Sequence, residues 1–352
     1  MAIAALTRDR PYRSTIDCFA FLSTEPKRFP MRLIIAPLAV VLAAVLASGV
    51  AFAQTFPSKT VRVIVPTAPG GGIDVSCRIV SAKLQEYWGQ PVVVENRPGA
   101  AMVIGAELAA KAPPDGYTLF VAHDGAIAMN PVVIPGLSYD PTRDFAPISI
   151  LVSAPLVAMV HPSTGITSIQ SLIAYAQANP GKLNHASGGT ASLLALELFN
   201  ALANTQIMPV SYKGAGPALS SLMAGETQIA FADIGSGAST MKSGRVRVLG
   251  IATLERSKLY PDLPTIGESG VPNFETSTWV AMFAPAATPR DITERIGNDV
   301  RRALADPEVR QRFHAINFEV VGSTAEGLAT MMRRDTEKWS RLVRERKLKF
   351  SQ

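Results

Sequence analysis

The sequence predicts an α/β fold with two lobes, each a mainly parallel sheet with helices on both faces. Three observations favour it. Runs of β-branched residues alternate with segments of helical spacing, glycine-rich turns follow several of the strands, and the same alternation occurs twice along the chain. The length of 352 residues suits roughly two domains with sizeable cores.

The first 53 residues have the pattern of a secretory signal peptide. An uncharged apolar run at 33–50 follows Arg32 and ends in a small-x-small cleavage pattern at Ala53. A membrane anchor is the alternative, because the run is at the lower limit for a span, but the alanine-rich exit favours cleavage. Residues 1–30 form a polar segment that is unusually long for the region before such a signal. We therefore expect translation to start at Met31.

Charge and cysteine content change once this leader is set aside. The chain has 34 Lys and Arg against 28 Asp and Glu, a net charge of +6. The segment 1–53 holds six of the basic residues and three of the acidic ones, so the mature chain has a net charge of only +3. No nucleic-acid signature remains, and the basic segment 341–349 is typical of the solvated face of a last helix. Cys77 has no partner for a disulfide, and its helical surroundings favour a small buried hydrophobe.

The first unit is built from strands and helices in strict alternation. Valine and isoleucine runs mark the strands, and apolar residues at helical spacing mark the helices. In chain order the pattern predicts a strand at 61–65, a turn at 66–72, a helix at 73–87, a strand at 91–95, a helix through 105–111 and a strand at 117–122.

The second unit repeats this pattern before the chain returns to the first. Its predicted strands are 156–160, 183–187, 207–212, 228–232 and 246–252, its helices are 168–178, 192–203 and 217–224, and a strand at 279–284 precedes helices at 290–305, 307–315 and 325–347. The returning strand predicts one lobe of residues 54–156 and 277–352 and a second lobe of 157–276. Two such crossings would form a hinged cleft, a common place for small ligands.

Two glycine-rich turns link a strand to a helix, one in each lobe. The first is 66–72 and the second is 187–192. Free backbone N–H groups and the helix dipole favour an anion there, and glycine permits close approach. Each turn alone is a weak signal that is more often simple chain geometry. Together they would hold a carboxylate between the lobes.

Other polar residues are candidates for the cleft. Asp74, four residues before Arg78, is either a cap with an ion pair or a residue that orients the loop, a water or a ligand amine. His123-Asp124 and Asp233 end predicted strands, where open α/β sheets bind ligands, and Lys213 is as readily a solvated turn residue.

Catalytic and metal patterns are poor in this sequence. The four histidines lie at 123, 161, 185 and 314, with no metal-ligand spacing between any two, and no nucleophile elbow occurs. We therefore expect no enzyme, no metal and no cofactor, and a small ligand rather than a reaction.

Several phrases, in order, resemble one family over essentially the whole mature chain: the solute-binding receptors of tripartite tricarboxylate transporters, the TctC or Bordetella uptake gene (Bug) family. The matching phrases are those at 65–74 with Arg78, 89–100, 114–119, 139–145, 179–183, 197–199, 212–218 and 261–265, with Trp279. The block Val94-Glu95-Asn96-Arg97-Pro98-Gly99 is the most specific of them.

The resemblance implies a periplasmic Venus-flytrap fold, similar to type II binding proteins, in which main-chain groups of both glycine-rich turns hold a carboxylate. The far end of the cleft would set the ligand. The residues expected to contact the ligand are Thr67, Ala68, Pro69, Gly70, Gly71, Gly72, Asp74, His123, Asp124, Ser187, Gly188, Gly189, Thr190, Ser192, Tyr212 and Asp233.

The implied function is an extracytoplasmic receptor for a small organic anion, whether a monocarboxylate, a dicarboxylate, an amino acid or an aromatic acid. Its partners would be the large and small membrane subunits of a tripartite transporter, and the receptor itself is expected to be a monomer. The alternative is a sensor that presents its closed form to a sensor kinase. Neighbouring genes would discriminate the two.

The chain departs from the family pattern at a few places in the cleft. Ala101-Met102 replaces a frequent Gly-Gly, Leu193 a frequent His and Ser221 a common Asp, and Asp233 lies one position later than the usual acid. A displaced acid would repel a second ligand carboxylate unless a cation or water intervenes. These departures concern the ligand and not the fold.

Overall fold

A mixed sheet, continuous through one long strand, forms the framework of the protein. The computed structural model describes residues 56–257 and 259–348. In these ranges the strands are β1 (Val61–Val65), β2 (Val92–Asn96), β3 (Thr118–His123), β4 (Phe145–Val160), β5 (Asn184–Ser187), β6 (Met208–Ser211), β7 (Ile229–Asp233), β8 (Arg247–Ile251), β9 (Ser277–Pro285) and β10 (Glu319–Val320). Their order is β2-β1-β3-β9-β4-β7-β5-β6, and β8 and β10 also pair with β4.

Helices cover the sheet. The described helices are α1 (Gly72–Trp88), α2 (Val103–Ala110), α3 (Asn130–Val133), α4 (Pro141–Asp144), α5 (Ile169–Ala178), α6 (Thr190–Ala203), α7 (Ala215–Ala224), α8 (Ile234–Lys242), α9 (Arg290–Ala305), α10 (Pro307–Ala315) and α11 (Ala325–Arg346). Local chemistry sets several starts. Asp306 accepts the N–H groups of Glu308 and Val309, and Pro307 fits the first turn because its missing N–H would have no helical partner.

Strand β4 joins the two halves of the sheet. Residues Phe145 to Pro155 pair with β9, and Leu156 to Val160 pair with β7, so the change of partner falls between Pro155 and Leu156. Strands β1, β2, β3, β9 and β10 lie on one side of this change, and β5, β6, β7 and β8 lie on the other. One strand is therefore shared by both halves.

The α/β prediction is confirmed, with a refinement in strand direction. Within each half the outer strands are parallel: β1 with β2 and β3, and β5 with β6 and β7. The pairs that involve β4 and β9 are antiparallel, so the sheet is mixed rather than mainly parallel. Antiparallel pairing follows because these two strands carry the chain between the halves in opposite directions.

Apolar clusters fill both faces of each half. In β1, Val63 and Val65 belong to one cluster and Ile64 to another, as expected for side chains that alternate across a sheet. In β4, Ala158 and Val157 are divided in the same way between two clusters of the other half. The buried faces explain why these strands read as near-continuous hydrophobic runs.

Most predicted elements occur within a few residues of the expected bounds, and a few were missed. The sequence pattern predicted only 156–160 of β4, and it did not identify α3, α4, α8 or β10. Cys77 is buried and free as expected, and burial raises the pKa of its thiol to about 12. Charged residues at 341–347 are exposed on α11, as expected for a solvated helix face.

The predicted signal peptide, its cleavage after Ala53 and the start at Met31 lie outside the described residues, and they stay predictions. None of the helices in 56–257 and 259–348 has the length and apolar character needed to cross a membrane.

Candidate functional site

A cavity of about 630 Å³ lies where the two halves of the sheet meet. Residues that follow the carboxyl ends of four strands line it: Thr67 after β1, His123 at the end of β3, Gly188 after β5 and Asp233 at the end of β7. This is the edge at which open α/β sheets bind ligands. The structure thus brings the two glycine-rich turns to one cavity.

Ten of the sixteen residues expected to contact a ligand line this cavity. They are Thr67, Gly70, Gly71, Gly72, His123, Gly188, Gly189, Thr190, Ser192 and Asp233. The other six do not line it: Ala68, Pro69, Asp74, Asp124, Ser187 and Tyr212.

The first turn is held in shape by a buried carboxylate behind it. Asp74 accepts the Gly70 N–H at 2.9 Å and an Asn96 side-chain N–H at 2.9 Å. It also accepts Arg78 Nε at 3.0 Å, while the same Asn96 amide donates to the Thr67 carbonyl. Asp74 is 2 % exposed, so it acts on the turn and not on the cavity. This places it in the loop-orienting role.

The ionised form of Asp74 is favoured despite its burial. Burial raises the pKa of this carboxyl, but hydrogen bonds from Arg78, Gly70 and Asn96 together lower it by more. The pKa of Asp74 therefore lies below the ordinary value. A carboxylate that accepts several N–H groups is a fixed anchor for the turn.

The second turn is fixed by close backbone packing and by a buried histidine. A Cβ on Gly188 would lie 2.8 Å from Ala215 Cα, so only glycine lets the turn pack against the start of α7. His185 is fully buried; its Nε2 accepts the Phe231 N–H at 2.9 Å, and its Nδ1 contacts Ser187 Oγ at 2.8 Å. These bonds tie β5 to β7 directly before the turn.

Three helices begin at the cavity without a capping side chain. Within the described chain, α1 starts after Gly71, α6 after Gly189 and α7 after Gly214, and no side chain accepts a hydrogen bond from the first turn of any of them. The first residues of all three line the cavity. Their N–H groups and helix dipoles therefore favour an anion in this space.

The Thr67 hydroxyl adds a further polar group to the cavity wall. Its Oγ1 is buried and has no hydrogen-bond partner in the described structure. Buried hydroxyls normally have partners, so an unpaired one beside a cavity indicates an expected ligand or water.

His123 faces the cavity, and Asp124 lies behind it. Nδ1 of His123 accepts the Gly125 N–H at 2.7 Å, which places the proton of the neutral ring on Nε2. Asp124 Oδ1 lies 3.3 Å from the same Nδ1, is buried and has no hydrogen-bond partner among the described residues. Burial raises the pKa of Asp124, so its neutral form is favoured relative to an exposed carboxyl.

The polar groups of two candidate residues, Asp233 and Tyr212, form hydrogen bonds within the protein. Asp233 caps α8, with Oδ1 accepting the Ser236 N–H at 2.8 Å and Oδ2 accepting the Ser236 hydroxyl at 2.6 Å. Tyr212 turns away from the cavity, because its hydroxyl lies 2.6 Å from Ser221 Oγ. Ser221 occupies one of the positions where the chain departs from the resembled family.

Sequence reasoning missed much of the apolar wall. Phe231 and Phe318 line the cavity, as does Ala215 at the start of α7. Met102 lines it too, and the sequence marked it only as a departure from the family pattern. The glycines before Pro217 were a usable signal for Ala215, since they follow β6 and open a helix. Phe318 enters from the segment between α10 and β10, and nothing in its local sequence marks it.

The chain matches the family model described as tripartite tricarboxylate transporter family receptor over residues 76–348. It is 33 % identical to Protein BugT of Bordetella pertussis over 296 residues, which is 83 % of this chain and 91 % of that protein.

Solved structures are similar as well. An R. palustris protein with adipate is 30 % identical, with a TM-score of 0.73, and the match covers 82 % of this chain and 97 % of that one. MatC from Rhodopseudomonas palustris with bound malate is 31 % identical, with a TM-score of 0.70, and the match covers 82 % of this chain and 100 % of that one.

Gly71→Leu should abolish carboxylate binding while the protein remains folded. Gly71 has an ordinary φ of −76°, and a Cβ there would meet only the Ala68 carbonyl at 3.9 Å, so leucine fits the backbone and fills the cavity. The free energy of unfolding should fall by no more than about 1 kcal/mol, the cost of a poorer N-cap. Calorimetric titration and urea unfolding measure the two quantities.

Gly188→Ala is the matched contrast, because its methyl group would meet the Ala215 backbone and should destabilise the fold itself. Undiminished affinity in Gly71→Leu would show that the first turn does not contact the ligand.

Acid should destabilise the protein through His185. Burial lowers the pKa of His185 to about 3, while the unfolded chain titrates near 6.5. As the pH falls below about 6.5, the imidazole binds a proton in the unfolded state but stays neutral in the folded state. The free energy of unfolding therefore falls by up to about 1.4 kcal/mol per pH unit. His185→Gln removes this titration, so urea unfolding at pH 7 and pH 5 should show a smaller loss in the variant. Equal losses in both proteins would contradict a buried neutral imidazole.

Proposed function

The chain belongs to the family of tripartite tricarboxylate transporter receptors, and we propose that it binds a small organic carboxylate in the cavity between its two lobes. It then delivers this solute to the large and small membrane subunits of a tripartite transporter. The single observation that carries the proposal is the convergence of three uncapped helix N-termini on one cavity.

A carboxylate suits this donor set better than a neutral or cationic solute. Backbone N–H groups at Gly72 and Ile73 come from one half of the sheet, and those at Thr190 and Ala191 come from the other. An anion between them would satisfy donors that have no helical partner and would interact favourably with the helix dipoles. The unpaired Thr67 hydroxyl is a further donor at the same wall.

Two relatives support a carboxylate as the solute. The R. palustris protein at 30 % identity holds adipate, and MatC at 31 % identity holds malate. Both ligands are organic acids, and both matches cover 82 % of this chain.

Ligand binding closes the cleft by selecting the closed form. We assign one lobe to residues 54–156 and 277–352 and the other to 157–276. A carboxylate that contacts α1 in the first lobe and α6 in the second is bound better when the lobes approach each other. The ligand therefore shifts the population toward the closed form, which the membrane subunits recognise.

Export fits this role, because the family consists of periplasmic solute receptors. We propose that the segment 1–53 directs secretion and is removed after Ala53, and that the mature receptor acts as a monomer. In this arrangement no part of the receptor needs to remain in the membrane.

Organic carboxylates should raise the melting temperature of the purified protein in a thermal-shift screen. A ligand at 100 times its dissociation constant stabilises the folded state by about 2.7 kcal/mol. The panel includes malate, adipate, hexanoate, benzoate and glutamate, and hexanamide is the matched control because it keeps the hexanoate skeleton without its charge. Stabilisation by a carboxylate but not by hexanamide supports the proposal. A panel without a single stabilising carboxylate, or an equal response to hexanamide, would contradict it.

A further inference from the structure

We propose that the solute of this receptor is a monocarboxylate with an apolar aliphatic or aromatic body, and not a dicarboxylate or an amino acid. This inference rests on the proposed function and specifies its substrate class. It follows from the charges, the apolar wall and one strained backbone segment of the cavity.

The cavity offers no cation for a second carboxylate. Among the described residues that line it, none is Lys or Arg. Arg78, close to the first turn, is bound to Asp74 and donates to Asn96 Oδ1 at 3.0 Å. Nδ1 of His123 is engaged within the protein, where it accepts the Gly125 N–H at 2.7 Å. A second ligand carboxylate would thus be desolvated without an ionic partner.

The donors at the starts of α6 and α7, both in the half of the sheet that contains β5 and β7, form one group. The starts of α6 and α7 lie together, since a Cβ on Gly188 would be 2.8 Å from Ala215 Cα. A fourth helix, α8, also begins at the cavity, but Asp233 caps it with a carboxylate of the protein itself. The start of this fourth helix is thus occupied by a carboxylate of the protein, which would repel a second anion there.

Apolar side chains make up much of the remaining wall. The larger ones are Met102, Met129, Leu156, Leu219, Phe231 and Phe318. The Phe318 ring lies against the start of α1, because a Cβ on Gly72 would be 2.9 Å from its Cζ. Such a wall favours a ligand with an apolar body, because moving apolar surface out of water lowers the free energy.

Met102 reaches the cavity from a strained backbone position. Its φ is 76°, and Ala100 and Ala101 before it have φ values of 45° and 51°. Non-glycine residues in this left-handed region are held at a cost and concentrate at ligand sites. Glycine would remove the strain but also the methionine side chain from the cavity wall. We infer that this side chain serves the apolar body of the ligand.

Two pairs of acids that share a skeleton test the substrate class. Hexanoate is compared with adipate, and benzoate with terephthalate, by calorimetric titration of the wild-type protein. We expect at least one monoacid to bind, and each monoacid that binds to do so at least tenfold more tightly than its diacid. Tighter binding of a diacid in either pair overturns this inference and leaves carboxylate binding intact. Absence of binding by all four acids counts against the proposed function as well.

Met102→Gly tests the wall, and Ala100→Gly is its matched control. Both substitutions relieve a positive φ, but Ala100 is exposed and does not line the cavity. Ala100→Gly should leave stability in urea unfolding unchanged, whereas Met102→Gly also loses the contacts of this side chain with two apolar clusters, so affinity is measured where both variants are shown to be folded. We expect Met102→Gly to weaken monoacid binding at least fivefold and Ala100→Gly to change it less than twofold. Equal effects of the two substitutions would remove the assigned role of Met102.

Asp233→Asn tests the charge of the wall directly. Asparagine is also a good N-cap, so α8 should be retained. We expect the affinity for the diacid to rise at least fivefold more than the affinity for its monoacid in this variant, because the diacid carries the second charge. Unchanged diacid affinity would show that Asp233 does not exclude a second carboxylate. Glu294→Gln is the control, because it removes one negative charge from an exposed residue of α9 that does not line the cavity.

Discussion

An α-helix begins with N–H groups that have no partner within the helix, and this protein brings three such beginnings to one cavity without capping side chains. The rest of the site depends on this constraint. Donors that are left open toward a cavity need an acceptor from outside the protein. Two of these helices come from one half of the sheet and one from the other, so we propose that an anion bound to all three bridges the halves.

The uncapped turns require support from behind, and the structure provides it with buried polar groups. Asp74 replaces a cap on the first turn by accepting the Gly70 N–H, and Arg78 with Asn96 keeps this carboxylate ionised. His185 has the same function for the second turn, where its neutral ring accepts the Phe231 N–H. Neither residue lines the cavity. Residues that do not line the cavity thus fix the shape of the two turns.

The sequence predicts the framework and the two turns well, because both depend on local patterns. Strand β1 with the helix that follows is recognisable from a β-branched run, glycines and helical spacing. Strand β4 was seen only in part, since Pro147 and Pro155 interrupt the run that leads into Leu156. Whether Asp233 caps a helix or contacts a ligand is decided by α8, which the sequence reading did not identify. Phe318 depends on tertiary packing and has no local signal. The left-handed backbone at Met102 had one signal, the Gly-Gly that is frequent at this place in the resembled family.

The most direct test of this account is the amide spectrum of the ¹⁵N-labelled protein during titration with a binding carboxylate. The account predicts that the largest downfield shifts occur at the amides of Gly72, Ile73, Thr190 and Ala191, because their N–H groups acquire a charged acceptor. Shifts confined to residues of one lobe, or an unchanged set of these four amides at saturation, would contradict the claim that the two turns hold the carboxylate together.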